Sequence, residues 1–292
     1  MYLSTPSTAL KRLAPTSAAK PDAWGDGYRL YQGDCIERLQ HLEPESVDMI
    51  FADPPYFLSN GGFTCKSGRR APVCKGSWDE SRGLDADHRF ALQWLGACKR
   101  VLKPSGSIWV SGTQHVIFSV GFALQGLEYR LLNTVTWYKP NASPNLSCRY
   151  FTHSTELLIW ASPQKRGRLL HQFNYQKMKR ENGGKQMRDV WNLPRIDEEE
   201  LFPDGQGRVW SQLTPRKAEK VLGKHPTQKP LALLERIIAS TTSHRALVLD
   251  PFSGSGTTGV AALKLGRRYI GIEVEPKYLE LSEQRLRQVN PS

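Results

Sequence analysis

The chain has 292 residues, enough for one large α/β domain with insertions or for two small domains. Hydrophobic residues make up 39% and aromatics 10%, as a folded globular protein requires, and no run of 18 apolar residues is present to form a transmembrane helix. A net charge of +12 points to a polyanionic partner, most often nucleic acid.

Residues 1–24 are rich in Ala, Ser, Thr, Pro and Lys and lack the apolar stretch of a secretory signal, so they read as a flexible tail before one domain at 25–292. Positions 28–32 (YRLYQ) form a strand candidate, followed by Gly33-Asp34 and an amphipathic helix with Ile36, Leu39 and Leu42 on one face. Positions 46–52 (SVDMIFA) have the pattern of a buried strand. That strand must stop at Asp53-Pro54-Pro55-Tyr56, because two prolines cannot continue a hydrogen-bonded ladder. Residues 57–83 hold five basic and two acidic side chains among Gly and Ser, and read as a mobile loop.

A helix is expected at 85–102, stopped by Lys103-Pro104-Ser105-Gly106, with a strand at 107–111. A helix at 116–125 and strands at 131–137 and 156–161 follow. Residues 162–223 show weak periodicity and read as an insertion; nine basic side chains stand against two acidic ones within 164–195. Order returns with a helix at 230–240, a strand at 246–250, a Gly-rich turn at 251–256, a helix at 257–265 and a strand at 269–273. Strands alternating with helices make this an α/β protein with a doubly wound, mostly parallel sheet, in which ligands bind beyond the carboxyl ends of the strands. The five cysteines at 35, 65, 74, 98 and 148 form no C-x-x-C pair, so reduced thiols are expected and no metal site.

The turn in VLDPFSGSGTTG lies between a strand and a helix. Gly254 and Gly256 allow close backbone approach, and the helix that follows offers unpaired N–H groups. Glu273, seventeen residues beyond Gly256, ends the next strand, where an acid accepts both hydroxyls of a ribose. A dinucleotide site remains compatible with Gly254, Gly256 and Gly259. Against it, Asp250 would face a pyrophosphate with like charge, whereas it suits a cationic amino-acid group. That unit also normally opens a dinucleotide fold, whereas here it comes last.

Asp53-Pro54-Pro55-Tyr56 is the most specific signal; as structure alone it would be a Pro-Pro turn with a packed Tyr. Its chemistry suits the exocyclic amine of a base, whose lone pair is delocalised into the ring. Asp53 accepts one N–H, the Pro54 carbonyl accepts the other, and Tyr56 gives a flat face for an extruded base.

These residues resemble the β-class amino-methyltransferases of restriction–modification systems. Asp53-Pro54-Pro55-Tyr56 is followed by a variable region, then Gly223-Lys224-His225-Pro226-Thr227-Gln228-Lys229-Pro230, the 250–258 loop and Ile270-Gly271-Ile272-Glu273. The resemblance spans about 28–286. It implies a Rossmann-like fold of the S-adenosyl-L-methionine-dependent type, with S-adenosyl-L-methionine as cofactor and DNA, duplex or single-stranded, as partner. The stretches 51–62 (FADPPYFLSNGG), 145–156 (NLSCRYFTHSTE) and Gly184-Lys185-Gln186-Met187 are similar to a narrower branch, the second adenine methyltransferases of DpnII-type systems. That branch implies N6 of adenine in GATC, a cytoplasmic, nucleoid-associated enzyme of bacterial type, and allows a homodimer. Cytosine N4 is the alternative product, and Asp rather than Ser at position 53 favours adenine. A nicotinamide-dependent oxidoreductase and a DNA-binding module without activity are the readings from other classes.

By the same resemblance Asp53, Pro54, Pro55 and Tyr56 are catalytic, and Asp250, Phe252, Gly254, Gly256 and Thr257 form the methionine-side loop. Glu273 is the ribose acid, Thr227 and Lys229 lie near the cofactor carboxylate, and Asp34 is either the contact to the cofactor adenine or a helix cap. Trp137 and Lys139 flank the extruded base, unless Trp137 packs in the core. The residues expected on DNA are Arg69, Arg70 and Lys75 in the first basic stretch and Lys177, Lys179, Arg180, Lys185 and Arg188 in the second, mostly on phosphates. Tyr175 and Trp191 either stack on bases or pack.

Overall fold

The computed structural model describes residues 20–59, 63–66, 69–72, 76–139, 142, 144–191, 223 and 228–289. Within them β1 (Ala23–Gly25), β2 (Tyr28–Gln32), β3 (Val47–Ala52), β6 (Leu102–Gly112), β7 (Arg130–Tyr138), β8 (Thr155–Ser162), β9 (Val190–Trp191), β10 (Leu247–Asp250) and β11 (Arg268–Glu273) form one sheet. Their spatial order is β1-β2-β11-β10-β3-β6-β8-β7-β9. The central strands β2, β11, β10, β3 and β6 run parallel, while β8 is antiparallel to both β6 and β7.

The side chains of β3 explain its central place. Ile50 and Ala52 enter one core cluster and Met49 and Phe51 the other, so alternation along the strand feeds both faces. The first face is covered by α1 (Cys35–Gln40), α2 (Leu84–Val101) and α3 (Ile117–Gly126). In α2 the buried residues Ala91, Trp94, Leu95, Cys98 and Val101 recur at three- and four-residue steps, which places them on one stripe. The second face is covered by α5 (Leu231–Thr241), α6 (Thr257–Lys264) and α7 (Pro276–Val289), together with Trp109, Trp137, Trp160 and Trp191.

Asp48 joins three strands. Its Oδ1 pairs with Lys103 at 2.6 Å and its Oδ2 accepts the Leu247 N–H at 2.7 Å, so β3, β6 and β10 are held together at their entry end. From β3 the chain continues through α2 to β6 on one side; from β10 it continues through α6 to β11 on the other. The β3–β10 boundary is therefore the point where strand order reverses, and a crevice opens beyond the carboxyl ends there.

Several expectations need correction. Ala23–Gly25 is a strand paired with β2, so the segment before residue 25 is not wholly a tail. The segment 57–83 is more regular than a plain loop. It contains the antiparallel strands β4 (Phe63–Lys66) and β5 (Arg69–Pro72) and a 3-10 turn at Ser77–Asp79. The Lys103-Pro104-Ser105-Gly106 stretch belongs to β6 rather than separating helix from strand. The start of the 162–223 segment is built into the domain. Met178 of α4 (Tyr175–Glu181) is buried, and the Asn174 amide donates to the Ala239 and Thr242 carbonyls at 2.7 and 2.8 Å. β9 extends the sheet beside β7. The closing helix α7 is an element the chain reading did not contain. No described helix is long and apolar enough to cross a membrane.

Candidate active site

A cavity of about 390 Å³ lies at the strand-order reversal, large enough for a nucleoside-sized ligand. Asp53, Pro54, Pro55 and Tyr56 line it from the end of β3, and Asp250 through Ser255 line it from the end of β10. Asp34, Lys229, Thr257 and Glu273 complete the set, so residues far apart in the chain meet in one space.

Asp53 is the hub of a buried polar cluster. Its Oδ1 accepts the Ser111 hydroxyl at 2.5 Å and the Tyr56 hydroxyl at 2.8 Å, and its Oδ2 accepts the Lys229 ammonium at 2.6 Å. Lys229 also approaches the Tyr56 hydroxyl at 3.2 Å and Glu156 Oε2 at 3.5 Å, while Lys139 holds Glu156 Oε1 at 2.7 Å. Burial works against the Lys229 charge, yet Asp53, Glu156 and Tyr56 outweigh it and hold the ammonium well above its usual range. Burial works against the Glu156 carboxylate too, and Lys229 and Lys139 pull it below its usual range. Burial, then Asp53 and Glu156, push the Tyr56 phenol up, which keeps it a neutral donor.

The strand end after β3 is held by Asp79, which is fully buried. Its carboxylate accepts the N–H groups of Tyr56 and Phe57 at 2.9 Å each, that of Leu58 at 3.3 Å and the Ser59 hydroxyl at 2.8 Å. Phe57 sits at φ 55°, a left-handed turn that these bonds stabilise.

The turn after β10 is equally anchored. Asp250 accepts the Phe252 N–H at 2.9 Å and the Thr258 hydroxyl at 2.6 Å. Burial pushes its carboxyl up to about 7, against those two bonds and with help from Asp53 and Glu273. Glu273 accepts the Gly254 N–H at 2.7 Å and the Glu275 N–H at 2.9 Å, and burial raises its carboxyl as well. Gly254 and Gly256 take φ values of 51° and 71°. A Cβ on Gly256 would lie 2.2 Å from the Ser282 hydroxyl, so only glycine fits. Arg285, buried on α7, bonds the Ser255 carbonyl at 2.5 Å and the Thr257 hydroxyl at 2.9 Å from beneath. Phe252 meets Trp94 edge-on with centroids 5.2 Å apart, which fixes its ring at the wall.

The two meanings of Asp34 coincide. Its Oδ1 caps α1 by accepting the Ile36 and Glu37 N–H groups at 2.8 and 3.2 Å, and the same residue lines the cavity. Lys229, expected beside a cofactor carboxylate, lines the cavity and is paired there with Asp53. Trp137, expected either beside an extruded base or in the core, is 4% exposed and belongs to the core, with the Lys139 ammonium 5.7 Å from its ring centroid. Trp191 is likewise buried, between Trp109 and the Arg236 guanidinium, and Tyr175 borders Phe173. Arg180, Lys185 and Arg188 are exposed, Lys179 is half-buried, and Lys177 pairs with Glu181 at 3.9 Å. Arg69 and Arg70 lie on β5, while Thr227 and Lys75 lie outside the described residues. Ser111, Glu156, Asp79 and Arg285 were absent from the candidates. Only Glu156 carries a trace in the chain, as an acid opening the apolar run ELLIWA.

Residues 47–284 match the N6_N4_Mtase family model, described as DNA methylase. The Type II methyltransferase M2.MboI of Moraxella bovis is 47% identical over 264 residues, covering 90% of this chain and 89% of its own. The Type II methyltransferase M2.DpnII of Streptococcus pneumoniae is 48% identical over 261 residues, covering 89% of this chain and 90% of its own. Among solved structures, the M1.HpyAVI–SAM complex aligns with a TM-score of 0.61 at 27% identity, over 89% of this chain and 98% of that one. The cytosine-N4-specific PvuII DNA methyltransferase aligns with a TM-score of 0.62 at 18% identity, over 89% of this chain and 86% of that one, and shares the fold.

Proposed function

The chain belongs to the DNA methylase family, and on that premise we propose that it transfers a methyl group from S-adenosyl-L-methionine to N6 of adenine within GATC. The observation that carries the chemistry is the meeting of Asp53 and Asp250 in one cavity, from the carboxyl ends of adjacent parallel strands. The order of the two halves, Asp53-Pro54-Pro55-Tyr56 first and the Gly254–Gly256 turn later, is that of the β class.

The cavity suits the cofactor on its own chemistry. Asp250 and Glu273 place two buried carboxyls at one end, matched to an α-ammonium and a ribose, and Phe252 and the capped Asp34 border the rest. When bound, the cofactor supplies an activated sulfonium methyl. Everything else falls to positioning. Asp53 draws on one N–H of the base amine, the Pro54 carbonyl on the other, and the Tyr56 ring supports the base plane. Lys179, Arg180, Lys185 and Arg188 supply phosphate contacts from the second basic stretch, and the β4–β5 ribbon, which carries Arg69 and Arg70 in its sequence, is the counterpart in the first. The described chain from Ala23 onward is one catalytic unit, with the basic parts of its described 63–66, 69–72 and 164–191 stretches facing DNA.

The experiment is transfer of labelled methyl to oligonucleotides with and without GATC, followed by nucleoside mass spectrometry. N6-methyladenine confined to GATC oligonucleotides is the expected result. N4-methylcytosine in its place overturns the assigned base, and N6-methyladenine at other sequences overturns the target.

A further inference from the structure

One side chain already fills the place assigned above to the target base. The Lys229 ammonium donates to Asp53 Oδ2 at 2.6 Å, as the base amine would, and lies 5.3 Å from the centroid of the Tyr56 ring, on which the base would stack. Two of the three contacts assigned to the adenine, those to Asp53 and Tyr56, are thus made by one lysine. The other oxygen of Asp53 is taken by Ser111 and Tyr56. An amine that approaches Oδ2 over the Tyr56 ring therefore meets the Lys229 ammonium and must displace it.

We propose that Lys229 is an internal stand-in for the target base, and that Glu156 receives its ammonium when the base arrives. The inference rests on the reading of Asp53 and Tyr56 as the base site. Three observations support it. The Lys229 side chain is 8% exposed and those of Asp53 and Glu156 12% each, so none of the three charges is free to escape into water. A buried ammonium stripped of its partner is strongly disfavoured, and it must pass directly to another carboxylate. Glu156 Oε2 stands 3.5 Å from the Lys229 nitrogen, within an ångström of full contact, and Lys139 fixes the same carboxylate from its other oxygen.

The exchange has a chemical consequence. While Lys229 sits on Asp53, the carboxylate is neutralised and cannot draw electron density from an amine. Moving the ammonium to Glu156 releases that charge only when a stacked N–H donor has replaced it. A base offering a carbonyl at this position, such as thymine, has no N–H to replace the ammonium and leaves the site closed. Glu156 and Lys229 are in this sense positioning residues, acting through Asp53.

The test is single-turnover methyl transfer to a GATC oligonucleotide by the wild-type protein, Glu156→Gln, Lys229→Met and the double variant, with cofactor affinity and thermal stability measured for each. In E156Q the ammonium stays on Asp53, and the rate is expected to fall on the order of tenfold or more without loss of cofactor affinity. In E156Q/K229M no ammonium needs a second carboxylate, and the rate is expected to rise above that of E156Q. A double variant as slow as E156Q, or slower, overturns the proposal. A second readout serves if E156Q does not fold: 2-aminopurine at the target position should fluoresce more strongly with K229M than with wild type, because the site has been cleared. Equal or weaker fluorescence overturns the stand-in role. The wild-type arm is read first, since failure to methylate any oligonucleotide overturns the reading of the site itself rather than the exchange.

Discussion

Glu273 and Gly254 are joined by one hydrogen bond, from the Gly254 N–H to Glu273 Oε2 at 2.7 Å, which ties the end of β11 to the turn after β10. On the function proposed above, ribose recognition and loop shape depend on the same carboxylate. Glu273→Ala should weaken cofactor binding by about 1–3 kcal/mol, the cost of leaving buried donors unmet. Isothermal titration with S-adenosyl-L-methionine checks it, and unchanged affinity would remove Glu273 from the cofactor site.

Asp250 predicts a pH dependence. Burial lifts its carboxyl from an ordinary 3.8 to about 7, so the folded chain holds a proton that the unfolded chain releases at lower pH. The stabilisation this gives is fully present below the unfolded value and is lost as pH rises through about 7. Without cofactor, the wild-type protein should lose more stability between about pH 5 and 8 than Asp250→Asn does. Binding of a cationic cofactor favours the ionised carboxylate and should release a proton near neutrality, seen as a buffer-dependent binding enthalpy. Parallel melting curves for the two proteins, or a buffer-independent enthalpy, would refute the assignment.

Asp79 reaches back to the residues that follow Pro55 through four acceptor contacts. Asp79→Ala strands the Tyr56 and Phe57 amides in a buried setting, and a stability loss of about 2–4 kcal/mol is expected from the charge-assisted bonds removed. The maximal transfer rate should fall as the Asp53–Tyr56 geometry loosens, with cofactor affinity less affected. Chemical denaturation and steady-state kinetics separate the two effects.

Gly256→Ala combines a left-handed φ with a Cβ that would stand only 2.2 Å from the Ser282 hydroxyl. The backbone strain alone costs about 1–2 kcal/mol, and the overlap pushes α7 away from the turn. Loss of cofactor binding is expected even where the variant folds. Gly256→Ala combined with Ser282→Gly should restore part of the stability, because it relieves the overlap and not the strain.

Much of the central fold was legible because its signals are local. The alternation of β3 and its abrupt stop at Pro54-Pro55 place Asp53 at a strand end, and the glycines at 254 and 256 announce a turn only glycine can make. What could not be read was who faces whom. Asp79 binds across 22 and 23 positions, Glu156 meets Tyr56 across 100, and Lys229 meets Asp53 across 176, so no periodicity relates them. The tryptophans stayed ambiguous for a related reason. An aromatic at a strand end has the same pattern whether it meets a base or, like Trp137, is buried in a core that also holds Trp109, Trp160 and Trp191. Charge also masked order: the basic 164–191 stretch looked unstructured, yet Asn174 and Met178 bind it to α5.

The pairing of β3 with β10 sets a condition on synthesis. Met49 and Ile50 register against Val248 and Leu249, the last strand-forming residues but for β11. A ribosome must therefore make almost the whole protein before the apolar edge of β3 finds its neighbour. Until then the nascent chain carries a central strand paired on one edge only, by β6, and its open edge is of the kind that invites aggregation, while the cavity has its Asp53–Tyr56 wall without the facing Asp250–Ser255 turn. Chaperone demand during translation, and the insolubility of any fragment ending before Leu247, follow from this arrangement rather than from the chemistry it serves.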